Sequence, residues 1–141
     1  MPLALAIHLA LALAVPLQAA VPSGEADEAR RIAFSLEIAA AEYEKAVGGP
    51  AVIRAELEEA VGFLAQARVR FKRLADGAGL DDFSRGPIEE GLARLEADAR
   101  AGRGDPAAFR SRAARAGWEL AAAFGASARP APAARPSARA G

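Results

Sequence analysis

The chain has 141 residues, which suits a single domain, and its 18 basic and 18 acidic side chains give a formal net charge of zero. Cysteine is absent, and the single histidine is His8. Disulfides are therefore excluded. If a cleaved leader also removes His8, then His/Cys zinc sites, haem attachment, Ser-His-Asp triads and cysteine nucleophiles are excluded as well. Carboxylates remain as metal ligands, and they suit hard ions that prefer oxygen.

Residues 1–20 contain no Lys, Arg, Asp or Glu, and they predict a secretory signal peptide. An apolar run with the length of a signal core ends at Pro16, and small residues follow it. We place the cleavage after Ala19 or Ala20, which makes the protein exported and periplasmic. The alternative is an uncleaved N-terminal membrane anchor, because about 20 apolar residues can just span a bilayer.

The first predicted helix follows Ser23, which suits an N-cap. Apolar residues then recur at spacings of four and three and form one helical face. This face comprises Ile32, Leu36, Ala39, Tyr43 and Val47. Gly48 and Gly49 supply the stop, and Pro50 prevents continuation of the helix.

The second predicted helix keeps a four-three spacing for three heptads, which is typical of a coiled-coil-like seam. The seam comprises Ile53, Leu57, Ala60, Leu64, Ala67, Phe71 and Leu74. The glycine-rich segment 76–79 ends this helix. Because the connection to the first helix is short, the two helices are expected to be antiparallel neighbours.

A third helix is predicted from about Ile88 to Ala101, with Pro87 in its first turn. Asp105 then suits an N-cap and Pro106 the first position of a fourth helix. The buried stripe of that helix is Phe109, Ala113, Ala116, Leu120 and Phe124.

No segment predicts a strand, since β-branched residues are scarce and alanine is abundant. The expected fold is all-α: an antiparallel up-down-up-down four-helix bundle over residues 21–125. Residues 126–141, rich in Ala, Pro and Arg, predict a disordered, polyproline-like linker.

Acidic residues dominate the first hairpin. Residues 21–63 contain nine acids and four bases, a net charge of −5, whereas residues 64–141 contain nine acids and fourteen bases. This asymmetry favours cations near the first half, or mutual attraction of two halves. On the hairpin, Glu56 and Glu59 share one flank, and Glu42 lies at the edge of the opposing stripe. These three carboxylates are a candidate open metal site; the alternative is the ordinary polar flank of a bundle helix.

Two further features have two interpretations each, and a third has one. Phe34, Ile38 and Ala41 lie on the back of the first helix, either packed under the fourth helix or forming a docking face. Trp118 is expected to be a half-buried edge residue, or else an interface anchor. The basic run from Arg68 to Arg73 has little aromatic company, so we predict no nucleic-acid binding.

The hairpin resembles the periplasmic helical module of the bacterial iron permease family, whose members in some cases include a c-type cytochrome segment. The resemblance rests on an acidic-Tyr pair, Ala-Val, a glycine turn and an acidic helix ending in Phe. The matching positions are Glu42-Tyr43, Ala46-Val47, Gly48-Gly49, Val52-Ile53, Glu56-Leu57, Glu59 and Phe63. The segment from Leu92 to Gly125 has the family's short-helix, break, long-helix pattern. The Ala/Pro tail resembles the family's linker.

The chain departs from the family in lacking a Cys-x-x-Cys-His motif and membrane helices after residue 20, and in having Gly62 where an acidic residue is expected. The resemblance implies an extracytoplasmic module alone, either a stand-alone accessory or part of a longer permease or cytochrome fusion.

Its implied role is accessory to iron uptake or periplasmic electron transfer, by docking to a membrane iron permease or c-type cytochrome. Glu42, Glu56 and Glu59 would bind iron weakly. The alternative function is a purely structural or interaction bundle without an ion. No enzymatic activity is expected, because no motif-placed nucleophile accompanies the carboxylates.

Overall fold

The structure, a computed structural model, describes residues 24–125. Within them it contains four α-helices and no strand, which confirms the predicted all-α class. The helices are α1 (Gly24–Val47), α2 (Arg54–Ala78), α3 (Asp82–Ala101) and α4 (Pro106–Ala123). The signal peptide, the cap at Ser23 and the tail from residue 126 lie outside the described residues and stay predictions.

The helices pack around one core that is built mainly from small and aliphatic side chains. The predicted stripes of α1 and α4 are confirmed, except that Val47 and Phe124 are only half-buried. Tyr43, Phe71 and Phe109 are the largest side chains that are fully buried. Tyr43 stacks on Phe109 with ring centroids 4.1 Å apart, so the end of α1 is tied to the start of α4.

One prediction about α2 is wrong: Ile53 is not part of the buried seam. The helix begins at Arg54, and Ile53 is its N-cap, with half of its surface exposed at 51%. Its backbone N–H donates to the Ala46 carbonyl at 2.9 Å, so Ile53 belongs to the connection between α1 and α2. Leu57 is half-buried, and the loop after α3 approaches it at Gly102.

The predicted start of α3 is also wrong, since the helix begins at Asp82, six residues before Ile88. Asp81 caps it by accepting from the Ser84 N–H. Pro87 lies inside the helix, where it removes a single backbone hydrogen bond. Arg85 bonds both Asp76 and Glu89, at 2.6 Å and 2.7 Å, and so stabilises the extra turns. The start of α4 at Pro106, capped by Asp105, is confirmed.

Ion pairs link the acidic hairpin to the basic half. Arg70 on α2 holds both carboxylate oxygens of Glu28 on α1, at 2.6 Å and 2.8 Å. Arg110 on α4 pairs with Glu44 on α1. The expected attraction between the two halves is therefore built from specific contacts between helices.

Phe34 and Trp118 are exposed, at 61% and 66%, so of the two interpretations of each residue the packed one for Phe34 and the half-buried one for Trp118 are wrong. The cause is a close contact between small residues: a Cβ added to Gly117 on α4 would lie 3.4 Å from the Ala33 Cβ on α1. Phe34 follows Ala33 and Trp118 follows Gly117, and a step of one residue turns about 100° on a helix. Both side chains therefore point away from the contact, and Phe34 does not pack under α4. Ile38 is half-buried and Ala41 is exposed.

Among the helices of residues 24–125, none is both long and apolar enough to cross a bilayer.

Candidate metal centre

The three predicted carboxylates converge where the α1–α2 hairpin closes. Glu42 lies near the end of α1, Glu56 in the first turn of α2, and Glu59 one turn later. One carboxylate oxygen from each residue lies within 4.8 Å of the other two. The structure thus brings together all three residues, while the binding of an ion stays a prediction.

The turn between the helices sets this geometry. The Gly48 N–H donates to the Glu44 carbonyl at 2.8 Å, and the Ile53 N–H donates to the Ala46 carbonyl at 2.9 Å. A Cβ at Gly48 would lie 2.6 Å from the Glu44 carbonyl oxygen, a distance that a side chain cannot adopt without displacement. Glycine is therefore required for this close turn, which directs the start of α2 back along α1.

Core packing holds the like charges close to each other. Tyr43 directly follows Glu42 and is 1% exposed, and Ala60 directly follows Glu59 and is fully buried. Neither backbone can move outward without opening the core. The repulsion between the carboxylates is therefore opposed by buried apolar contacts, which are worth about 25 cal/mol per Å².

Lys45 is the functional neighbour that the sequence interpretation missed. Its Nζ donates to both carboxylate oxygens of Glu42, at 2.8 Å and 3.0 Å. The signal was present, because residues three apart on a helix are neighbours. Lys45 neutralises part of the cluster, so a metal ion would have to compete with it for Glu42.

The carboxylates do not titrate alike. The hydrogen bond from Lys45 is the main cause that lowers the pKa of Glu42, and the hydrogen bond with Glu56 adds to it. The same bond, seen from Glu56, raises the pKa of that carboxyl, with burial and the charge of Glu42 adding to the shift. The pKa of Lys45 is raised, chiefly by Glu42. Glu56 is therefore the member of this pair that holds a proton more readily.

The oxygen separations suit a single cation. Ligand oxygens at about 2.0–2.4 Å from one ion can be no further than about 4.8 Å apart, which is the limit that this cluster meets. Glu42 is well covered, with 13% of its side chain exposed, whereas Glu59 is exposed. The cluster is thus open on one side, where water would complete the coordination, and all its ligands are hard oxygens.

Neighbouring carboxylates do not join the cluster. Glu58 is exposed and is not among the three residues whose carboxylate oxygens converge, and Glu44 pairs with Arg110. A groove between α2 and α3, which includes Phe71, Leu92 and Glu96 in its lining, contains none of the three cluster residues. The cluster is thus a surface feature of the hairpin rather than the wall of that groove.

The basic run of α2 is engaged in ion pairs. Arg68 bonds Glu96, which is only 3% exposed and also pairs with Arg100 on its own helix. Arg70 holds Glu28, and Lys72 lies 3.4 Å from Asp76. Three of the four basic side chains therefore have acidic partners within the protein.

No family model matches the chain, and neither a curated protein nor a solved structure matches it significantly.

Proposed function

We propose that this protein is an exported, non-enzymatic four-helix module that binds iron weakly through Glu42, Glu56 and Glu59. The observation that carries this proposal is the convergence of three carboxylate oxygens, from two helices, within 4.8 Å. Iron fits the ligand set because carboxylates bind hard cations, and ferric iron is the harder of its two common states.

The context of this role is iron uptake or periplasmic electron transfer. The module would dock to a membrane iron permease or a c-type cytochrome, as the family resemblance implies. Export through a signal peptide cleaved after Ala19 or Ala20 would place it in the periplasm. The order of the helix contacts supports the predicted up-down-up-down arrangement, with Glu28 meeting Arg70 and Tyr43 meeting Phe109.

The test is a calorimetric titration of the purified chain with ferrous iron under anaerobic conditions, and with ferric iron supplied as a weak chelate. We expect submillimolar binding with one ion per chain. Replacement of all three residues, Glu42→Gln, Glu56→Gln and Glu59→Gln, removes the charge and should abolish the binding. Binding that is absent, only millimolar, or unchanged in the triple variant overturns the metal role.

Glu58→Gln is the matched control. It removes one carboxylate from the same turn of α2, but Glu58 is not one of the three residues whose carboxylate oxygens converge. We expect its iron affinity to equal that of the wild type. If Glu58→Gln and a single Glu59→Gln variant lose iron affinity equally, then iron binding depends on net charge alone.

A second candidate function is a structural or interaction bundle without an ion. The hydrogen bonds from Lys45 to Glu42 favour it, because they already supply a positive charge to the cluster. A pull-down from a periplasmic extract, performed with the wild type and the triple Gln variant, separates the two functions. Equal capture of a partner by both proteins supports the ion-free role.

A further inference from the structure

The outer surface of α1 and α4 is apolar and uncovered in the part of the chain that the structure describes. Phe34 and Trp118 are 61% and 66% exposed, although burial of either side chain would be favourable. We call this surface the outer α1–α4 face. Its other apolar members are small or aliphatic, and the charged Glu37 and Arg110 lie beside them. The apolar members are Ile38, Ala41, Ala107, Ala114 and Ala121.

Phe34 and Trp118 lie on the same side of this helix pair. Tyr43 meets Phe109, and Ala33 meets Gly117, so the contacts run in opposite directions along α1 and α4. Phe34 and Trp118 each follow a residue of the Ala33–Gly117 contact. A step of one residue turns about 100° on each helix, and in an antiparallel pair the two turns lead to the same side. The two rings therefore project outward at nearly one level, about 3 Å apart along the helix axis.

We infer that the outer α1–α4 face binds a second copy of this chain and forms a two-fold dimer. An axis parallel to the helices places α1 of each copy opposite α4 of the other, antiparallel to it. Phe34 then lies against the partner's Trp118, and Trp118 against the partner's Phe34. This is the self-complementary exchange that a two-fold interface requires.

The charged residues beside the outer α1–α4 face are compatible with a second copy of the chain as the occupant. Within residues 24–125, Glu37 forms no ion pair, and it lies one turn beyond Phe34 on the side that faces α4. An axis parallel to the helices preserves height, so in the dimer Arg110 of the same copy and the partner's Arg110 both lie about 5 Å from Glu37 along the axis, within reach of an arginine side chain. Arg110 already pairs with Glu44, so Glu37 would complete a three-membered network between the copies.

The size of the face indicates a reversible dimer. α4 is 18 residues long, which is about 27 Å, and two helices about 9 Å apart present a face about 20 Å wide. Each copy then buries about 500 Å², and the total of about 1,000 Å² is at the lower end of specific interfaces. The alanines allow close approach, and the aromatic pair supplies the central anchors that dominate such interfaces.

Trp118 is the only tryptophan of the chain, so its fluorescence reports on this face alone. The test combines sedimentation equilibrium of the purified full chain with Trp118 emission over a range of concentrations. We expect a monomer–dimer equilibrium in which dimer formation shifts the Trp118 emission to shorter wavelength. A monomer at all concentrations, or a dimer with unshifted Trp118 emission, overturns the proposal.

Phe34→Ala is the decisive variant, because it leaves the tryptophan in place and removes the residue that would cover it. Truncation of a central anchor should weaken self-association at least about 30-fold and abolish the emission shift. Phe83→Ala is the matched control, since Phe83 is 91% exposed but lies on α3. Circular dichroism checks that both variants fold. Equal dimerisation of Phe34→Ala and wild type overturns the proposal, and so does equal weakening by Phe83→Ala.

Discussion

The two ends of the α1–α2 hairpin treat their carboxylates in opposite ways. At the open end, Glu28 meets Arg70 in a two-point ion pair, and the arginine hydrogen bond is the main cause that lowers the pKa of Glu28. At the closed end, Glu42 and Glu56 meet each other, and the pKa of Glu56 is raised. The same two helices therefore hold a matched pair at one end and an excess of negative charge at the other.

The contrast separates a contact that is stabilising by itself from one that the rest of the fold imposes. The Glu28–Arg70 pair adds stability to the hairpin, whereas the carboxylate cluster exists because the turn and the core impose it. An imposed cluster of like charge is a place where an added cation gains interaction energy on binding. Two of the variants below remove the core packing or the glycine turn that imposes the cluster. The other two remove a charge at one end of the hairpin.

The largest effect is expected from Phe109→Ala. Phe109 is fully buried and stacks on Tyr43, the residue next to Glu42, so its removal leaves a cavity under the closed end. We expect a loss of about 3–5 kcal/mol in the free energy of unfolding, measured by urea denaturation. Phe83→Ala, at an exposed position, should change it by less than about 0.5 kcal/mol. A loss below about 1 kcal/mol for Phe109→Ala would contradict this packing.

The next effect concerns the turn. Gly48→Ala places a Cβ 2.6 Å from the Glu44 carbonyl oxygen, so the backbone must shift. We expect a loss of about 1–3 kcal/mol in unfolding free energy, the usual cost of overpacking, together with weaker iron binding. Gly62→Ala is the control, because a Cβ there has open space and lies inside α2. It should stabilise the protein by about 0.5–1 kcal/mol. A neutral Gly48→Ala would show that the turn tolerates a side chain.

The matched pair at the open end is broken by Glu28→Gln. Both partners are about one-third exposed or less, and we expect a loss of about 1 kcal/mol at pH 7. The folded pKa of Glu28 is lowered, so its contribution is present above the unfolded pKa and is lost as the pH falls through the folded pKa. The variant and the wild type should therefore differ at pH 7 and converge at acidic pH, as followed by thermal melts. A difference that persists in acid would indicate a steric rather than an electrostatic cause.

The sequence predicts those parts of the fold that depend on local periodicity. The stripes of α1 and α4 and the start at Asp105-Pro106 follow from spacing and capping chemistry, and the structure confirms them. The predicted start of α3 is wrong because proline favours the first turn of a helix, whereas the side-chain cap at Asp81 starts the helix before Pro87. Pro87 favours a later start of the helix and the Asp81 cap an earlier one. The ion pairs of Arg85 with Asp76 and Glu89 stabilise the earlier start.

Exposure depends on how closely two helices approach, which periodicity alone does not give. The sequence leaves Phe34 and Trp118 open between a packed or half-buried position and a docking role, and the Ala33–Gly117 contact brings α1 and α4 together beside them and leaves both exposed. In the cluster, the convergence of three carboxylates follows from a short hairpin and helical geometry. The pairing of Lys45 with Glu42 follows from a different signal, the neighbourhood of residues three apart on one helix, which the spacing of the acids does not include.

The smallest effect, and the one of opposite sign, is expected from Glu56→Gln. The folded pKa of Glu56 is raised, chiefly by its hydrogen bond with Glu42, so its ionisation weakens the folded state as the pH rises through that pKa. Glutamine keeps the shape and removes the charge, so this variant should melt slightly above the wild type at pH 7, and the two should converge in acid. Glu58→Gln, which lies outside the cluster, should show no such pH-dependent gain. If Glu56→Gln melts below the wild type at pH 7, Lys45 already compensates the cluster, and the contrast between the two ends of the hairpin does not hold. If it melts higher but loses iron binding, then the carboxylate that weakens the fold is also the one that the ion requires.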